Sequence, residues 1–261
     1  MIGAIIGDIV GSKYEFNNHR SKEFELFAPD CRFTDDTVMT CAVAKAIMES
    51  KTDDELAKNT VKYMVEVGRE HPHRAYGWHF GKWIWESVDH APYNSYGNGA
   101  AMRVSPAAET SETLEEALRK AEIVTAVTHN HPEGIKGAKA TTEAIWMAKH
   151  GSSKEEIREM VNRKYYKLNF TCDEIRYTYM FNESCQGTVP QAIEAFLESR
   201  DFEDAIRIAI SIGGDSDTLA AITGPIAEAF YGVPEDIQRD AESYLDKSLL
   251  KIVRDYEEYL N

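Results

Sequence analysis

Apolar side chains recur every three or four residues along most of this 261-residue chain, which is the period of an α-helix. Within residues 38–48, for example, Met39, Val43 and Ile47 would share one helix face. Alternation with a period of two, typical of half-buried strands, is almost absent, and residues 175–181 are the nearest case. We therefore predict an all-α protein, with alternating α/β as the alternative because several apolar runs are short enough to be buried strands. The predicted helices cover residues 38–48, 53–67, 112–127, 133–149, 153–161, 189–199, 202–212, 216–231 and 235–259.

Two stretches that lack this period, residues 68–81 and 90–106, are rich in turn-forming residues and are predicted to be loops. Long loops in a compact helical protein often bind ligands. No low-complexity linker and no internal repeat divides the chain. We expect a single domain over residues 1–261, built as a compact bundle of many short helices.

The net charge of −15 limits the partners that this chain can bind. An acidic surface repels phosphate backbones, so duplex nucleic acid is an unfavourable partner. Solvated helix faces explain part of the acidic surplus, but carboxylates that hold a divalent cation would add to the same sum.

The start of the chain predicts no membrane association. Its apolar run is interrupted by Asp8 and follows no basic stretch, so it matches neither a transmembrane span nor a signal peptide. The four cysteines are scattered, without the spacing of a metal site. We expect reduced thiols in a cytoplasmic protein.

Two short runs of carboxylates and hydroxyls stand at the starts of predicted helices. The first contains the adjacent Asp35 and Asp36, and the second contains Asp215 and Asp217. One aspartate in such a place is explained by helix capping and by the helix dipole. The second carboxylate of each pair needs another explanation, because it adds repulsion.

Metal binding is the alternative to capping. Hard divalent cations bind carboxylates together with neutral oxygens, and both runs also supply threonine hydroxyls. If the two helix starts meet, the combined oxygens suffice for two Mg²⁺ ions that share bridging ligands. The spacing alone favours neither explanation over the other.

Three further features could belong to the same site. Glu15 could join the first run, although an isolated glutamate is usually a solvated surface residue. Backbone N–H groups near Gly97 and Gly99 could bind a diphosphate, although an ordinary Asn-Gly turn has the same sequence. His129 and His131 have no third nitrogen or sulfur ligand spaced to complete a zinc site, so a hydrogen bond to a ligand or to a helix end explains them better.

Taken together, these motifs resemble the ADP-ribosylglycohydrolase family over nearly the whole chain. Each motif is weak by itself, but five of them in this order and at this spacing are specific. The matching motifs are Gly7 to Gly11 with Glu15, Phe33 to Thr37, Ser95 to Gly99 with Met102 and Arg103, Thr128 and His129 with Thr188 to Pro190, and Gly213 to Thr218 with Gly224.

The resemblance implies an all-α fold with a dinuclear centre at helix N-termini, holding two Mg²⁺ ions or, alternatively, Mn²⁺. It also implies hydrolysis of the glycosidic bond at C1″ of ADP-ribose, with Glu15 or Asp215 as the catalytic carboxylate. The substrate would be an ADP-ribosylated protein or a small ADP-ribosyl conjugate. The implied metal ligands are Thr34, Asp35, Asp36, Asp215, Asp217 and Thr218. The implied substrate-binding residues are Ser95, Tyr96, Gly97, Asn98, Gly99, Met102 and His129.

Three other functions stay open. A module that binds ADP-ribose without cleaving it would need the loop and His129, but not every aspartate together with Glu15. A metal-dependent phosphohydrolase would use similar ligands on the diphosphate and would release AMP. A helical protein with capped helices and no ligand would bind no magnesium.

The leaving group is also open, with arginine, serine, O-acetyl and nucleic acid as alternatives, and the loop sequence favours an oxygen linkage. We expect Trp78, Trp83, Trp85 and Tyr93 to be core aromatics more often than parts of a pocket rim. A monomer is the simplest expectation.

Overall fold

Helices make up all the regular secondary structure in the computed structural model, which describes residues 1–261. The one strand-like contact is an isolated antiparallel bridge between Gly97 and Ser184. The all-α prediction is confirmed, and the α/β alternative is wrong. No helix combines the length and the apolar character needed to cross a membrane. The helices are α1 (Ile2–Gly11), α2 (Asp35–Met48), α3 (Asp53–Glu70), α4 (Trp78–Trp85), α5 (Gly99–Met102), α6 (Ser105–Glu109), α7 (Leu114–Ala126), α8 (Pro132–Lys149), α9 (Lys154–Lys164), α10 (Cys172–Ile175), α11 (Cys185–Glu198), α12 (Phe202–Ser211), α13 (Ser216–Tyr231), α14 (Glu235–Glu242) and α15 (Lys247–Leu260).

Capping side chains begin most of the helices that the apolar period predicts. Thr52, Thr113, Ser153 and Asp201 each accept a hydrogen bond from a backbone N–H in the first turn of the helix that follows. Each such bond satisfies a donor that the helix itself leaves unpaired and contributes about 1 kcal/mol. Local sequence therefore fixes these helix starts.

The structure differs from the predicted boundaries in several places, and α1 and α10 lie outside every predicted helix. Helices α4, α5 and α6 form wholly or partly inside the stretches predicted as loops, and α4 buries Phe80, Trp83 and Ile84 on one face. The predicted helix 235–259 is divided in two, because the Asp246 side chain accepts hydrogen bonds from two backbone N–H groups and starts a new helix there.

Helix α1 lies inside the protein, and all ten of its residues are buried. Three glycines, Gly3, Gly7 and Gly11, recur every four residues on the side that faces α13. A Cβ on Gly7 would lie 2.1 Å from the carbonyl oxygen of Ala220, and one on Gly11 would lie 2.4 Å from the Cα of Asp217. Both distances are far below van der Waals contact, so only glycine permits this approach. The close packing holds the start of α13 against the end of α1.

We expect Gly7→Ala to lower the free energy of unfolding by about 1–3 kcal/mol or more, because the added methyl would collide with the backbone of α13. Guanidinium unfolding followed by circular dichroism measures the change. Gly81→Ala is the matched control, since it lies within α4 and its added Cβ would have no neighbour closer than 3.8 Å. There alanine should stabilise the helix by up to about 1 kcal/mol. Equal losses in both variants would argue against the close contact between α1 and α13.

Candidate active site

The end of α1 and the starts of α2 and α13 meet at one buried point, where Asp8 connects α1 to α2. Its carboxylate, which is fully buried, accepts hydrogen bonds from the backbone N–H groups of Thr34 and Thr37, at 2.9 and 3.0 Å. It also accepts from both threonine hydroxyls. Four donors on one buried carboxylate hold it rigidly, so the start of α2 is fixed against α1.

The two acidic runs come together at this point. Side-chain oxygens of Asp8, Asp36 and Asp217 lie within 4.8 Å of one another, and so do those of Glu15, Asp215 and Asp217. All five residues are buried, and Asp217 belongs to both sets. The close contact of α1 with α13 therefore produces a concentrated cluster of carboxylates.

Burial raises the pKa of every acid in this cluster. The pKa values of Asp35, Asp36 and Asp217 stand well above their usual range, because desolvation and then the neighbouring carboxylates disfavour the charged form. The same two causes, with Asp215 as the neighbour, raise the pKa of Glu15 to about 7. The cluster therefore lacks enough nearby positive charge to favour the ionised carboxylates.

The donor set fits hard divalent cations. Every donor is an oxygen, and Glu15 Oε2 and Asp36 Oδ1 are buried without a hydrogen-bond partner. Buried carboxylate oxygens without partners are costly unless a cation compensates them. The two sets that share Asp217 would suit two ions with a bridging ligand.

The two threonines of the implied ligand set are placed differently. Thr218 lines the cavity, with its hydroxyl 3.4 Å from Asp36 Oδ2. The Thr34 hydroxyl donates to Asp8 at 2.7 Å and accepts from the N–H of Asp36, which makes it the cap of α2. One lone pair of Thr34 remains for a further interaction.

A cavity of about 310 Å³ opens above the carboxylates. It contains most of the predicted substrate-binding residues, but Tyr96 lies outside it, half-exposed and packed against the ring of His131. The lining also includes residues that the sequence did not single out as functional. The cavity is lined by Glu15, Asp35, Asp36, Ala75, Gly77, Trp78, His79, Phe80, Tyr93, Ser95, Gly97, Asn98, Gly99, Met102, Arg103, His129, Glu183, Asp215, Asp217 and Thr218.

Asn98 links the glycine loop to the carboxylates. Its side-chain amide donates to Asp215 Oδ2 at 2.6 Å and to the Thr188 hydroxyl at 3.2 Å. Its backbone N–H donates to the carbonyl of Glu183, and the N–H of Gly97 donates to the Ser95 hydroxyl. Two of the N–H groups expected to bind a diphosphate are thus already engaged within the protein.

His129 is fixed as a neutral hydrogen-bond donor. Its Nδ1 lies 2.7 Å from the Thr128 hydroxyl and 3.3 Å from the Arg103 guanidinium, which can only donate, so Nδ1 accepts and the proton sits on Nε2. Burial, and then the charge of Arg103, lower the pKa of His129 well below its usual range. Nε2 lies 3.3 Å from the position that a Cβ on Gly99 would take, so it faces the loop.

Sequence reasoning assigned no role to Asp8 or Glu183 and quoted Arg103 only as part of a motif. Arg103 is fully buried, which lowers its pKa to about 10 and still leaves it charged at neutral pH. Of the aromatics, Trp83 is a core residue, as expected, whereas Trp78 and Tyr93 line the cavity. The only feature of the sequence that pointed to a functional role for Arg103 was its place after Met102 in the family motif.

Known proteins are similar to this chain over almost its whole length. The sequence model of the ADP-ribosylglycohydrolase family matches residues 1–259. Human ADP-ribosylhydrolase ARH3 is 26% identical, with 96% of this chain and 90% of that protein covered. The ADP-ribosyl-[dinitrogen reductase] glycohydrolase of Rhodospirillum rubrum is 26% identical, covering 97% of this chain and 91% of that protein. A solved structure described as an ADP-ribosylglycohydrolase-related protein complex has a TM-score of 0.70 at 20% identity, covers 100% of this chain and 97% of that chain, and shows a shared fold.

Binding of Mg²⁺ at pH 7 should release protons, because a cation competes with protons for carboxylates whose pKa values are raised. The apparent affinity for Mg²⁺ should therefore fall as the pH is lowered through about 7, where Glu15, whose carboxylate lies within 4.8 Å of those of Asp215 and Asp217, loses its negative charge. Isothermal titration calorimetry in buffers of different ionisation enthalpy counts the protons released. Tight binding at pH 7 without proton release would contradict the raised pKa values.

Proposed function

The chain belongs to the ADP-ribosylglycohydrolase family and is an enzyme that hydrolyses ADP-ribose linkages, and from this premise we propose a metal-dependent cleavage of the glycosidic bond at C1″. The observation that carries the metal dependence is the pair of carboxylate sets sharing Asp217 at the base of the cavity. A module that only binds ADP-ribose has no need for so many mutually repelling buried acids, so we favour the enzyme.

Asp35, Asp36, Asp215, Asp217 and Thr218 would hold two Mg²⁺ ions, or Mn²⁺. Thr34 would contribute through its free lone pair and through its cap on α2. When bound, the ions would supply positive charge that fixes the hydroxyls of the distal ribose and lowers the pKa of a water molecule.

Glu15 is placed to move a proton during the reaction. One of its oxygens is buried and has no hydrogen-bond partner within the protein, so it is free to hold or release a proton. In the proposed reaction water adds to C1″, the bond from C1″ to the leaving atom breaks, and a proton passes to the leaving group. Asp215, oriented by the amide of Asn98, is the alternative carboxylate for this role.

The part of the cavity lining that lies away from the carboxylate cluster suits the ADP moiety. His129 offers its Nε2–H to a phosphate or ribose oxygen near the loop, and it stays neutral because burial and Arg103 hold its pKa low. The Tyr93 ring packs beside His129, with the ring centroids 5.9 Å apart. Together with Trp78 and Phe80, it offers an aromatic surface on which an adenine ring can stack.

We propose a modified protein side chain or a small ADP-ribosyl conjugate as the substrate. Relatives differ in their named substrates: the ADP-ribosylarginine hydrolase Tri1 of Pseudomonas putida is 26% identical, with 93% of this chain and 73% of that protein covered. The linkage therefore has to be measured. We also propose a cytoplasmic location, which the scattered cysteines favour, and a monomer.

The test of this function is chromatographic analysis of products after incubation with ADP-ribosyl-arginine and ADP-ribosyl-serine peptides, with Mg²⁺ and with EDTA. We expect free ADP-ribose only in the presence of Mg²⁺, and the peptide that reacts identifies the linkage. AMP as the product would replace the proposal by phosphohydrolysis. Binding of ADP-ribose without cleavage of any conjugate would favour the binding module.

Asp217→Ala and Asp36→Ala should each lower kcat by more than about 100-fold and weaken Mg²⁺ binding at the same time, because each removes an oxygen from the cluster. Without Mg²⁺, Asp217→Ala should melt at a temperature no lower than the unchanged protein, since it also removes a buried charge that repels its neighbours. Asp240→Ala, an exposed aspartate on α14, is the matched control. Normal turnover of Asp217→Ala at micromolar Mg²⁺ would remove Asp217 from the ligand set.

A further inference from the structure

Large apolar side chains are exposed beside the cavity. Phe16 is 77% exposed and follows Glu15 in the chain, while Phe181 is 43% exposed and stands two residues before Glu183. Both glutamates line the cavity. Single exposed apolar residues are normal on a protein surface, but apolar residues grouped at the edge of a cavity mark a binding surface.

The two phenylalanines form one surface although they come from distant parts of the chain. Their rings are stacked, with the centroids 6.2 Å apart and an angle of 23° between the ring planes. Met180, next to Phe181, is 73% exposed and extends the apolar character of the segment. We call Phe16, Met180 and Phe181 the rim patch.

Hydrogen bonds hold the two segments of the rim patch in place. The Arg20 guanidinium donates to the carbonyl of Tyr179 at 2.8 Å and to that of Ile212 at 2.6 Å. It also donates to the carbonyl of Arg176. The Tyr179 hydroxyl in turn donates to the carbonyl of Gly187 at 2.7 Å. The exposed rings therefore stand on an anchored backbone and can bind a partner at a low cost in conformational entropy.

The position of the rim patch indicates what it contacts. In the proposed function Glu15 moves a proton at the scissile bond, and Phe16 follows it in the chain, so the leaving group would depart on the side of the patch. A small leaving group would be too short to cover two aromatic rings, whereas the polypeptide of a modified protein would pass over them. The net charge of −15 disfavours an anionic membrane surface as the alternative occupant.

We propose that the rim patch binds apolar side chains next to the ADP-ribosylated residue of a protein substrate, and so makes the enzyme prefer modified polypeptides to small ADP-ribosyl conjugates. This proposal rests on the proposed hydrolase function. It assigns a role in substrate selection to residues that the cleavage of the glycosidic bond does not itself require.

The test compares kcat/KM for an ADP-ribosylated peptide with apolar flanking residues, for the same peptide with serine flanks, and for the single ADP-ribosylated amino acid of the same linkage. In the double variant Phe16→Ser/Phe181→Ser, we expect about a tenfold loss on the apolar-flanked peptide, mainly through KM. Activity on the single amino acid should be unchanged. Val88→Ser is the matched control, because Val88 is 98% exposed and does not line the cavity.

Equal losses on the peptide and on the single amino acid would overturn the proposal, since the patch would then support the cavity itself. No loss on either substrate would overturn it as well. A dimer of the unchanged protein that disappears in the double variant, seen by light scattering, would assign the patch to a second copy of the chain instead.

Binding provides a readout that does not depend on turnover. Fluorescence anisotropy in EDTA should show tighter binding of the apolar-flanked peptide than of the serine-flanked one, and the double variant should lose this difference. Absence of the difference in the unchanged protein would overturn the rim-patch proposal even if hydrolysis occurs. Absence of hydrolysis on every substrate, with the difference intact, would instead count against the hydrolase function alone.

Discussion

The approach of α1 to α13 is the contact on which the rest of the site depends. Glycines on α1 let the two backbones come so close that an added methyl group would overlap the opposing chain. This contact sets Asp8 and Asp217 within 4.8 Å of each other, and Asp8 then fixes the first turn of α2 through its two threonines. Asp8, Asp36 and Asp217 are thus positioned by helices, and carboxylates held in this way keep their geometry more precisely than those built on loops.

The same packing makes the cluster unfavourable without a cation. Excluding water raises the pKa values of Asp36 and Asp217, and neighbouring carboxylates raise them further. The fold tolerates the free-energy cost of these buried acids because the surrounding helices contribute a large apolar core that offsets it. Function and stability are opposed at this point, which is common where a protein concentrates like charges for catalysis or ion binding.

The sequence predicted most of the longer helices and the two acidic runs, since apolar period and capping residues are local signals. It did not predict α1 as a helix, because a helix buried on all sides has no polar face to create a period. The sequence did not predict the structural role of Asp8 either, because its hydrogen-bond partners, Thr34 and Thr37, lie far along the chain and become neighbours only through packing. Glu183 reaches the cavity on an irregular segment, which no periodicity describes.

Burial has opposite consequences at the two parts of the cavity. It disfavours charge everywhere, so it raises the pKa values of the acids, which favours their protonated form. It lowers the pKa of His129, which favours the neutral ring with its single proton on Nε2. In the proposed metal site, protons would compete with cations for these carboxylates, whereas His129 stays neutral because its pKa lies well below the usual range. It follows that a fall in activity on acidification should originate at the carboxylates and appear in metal affinity, while the affinity for the ADP moiety stays nearly constant. One desolvated cavity thus combines carboxylates that favour their protonated form with a histidine that favours its neutral form.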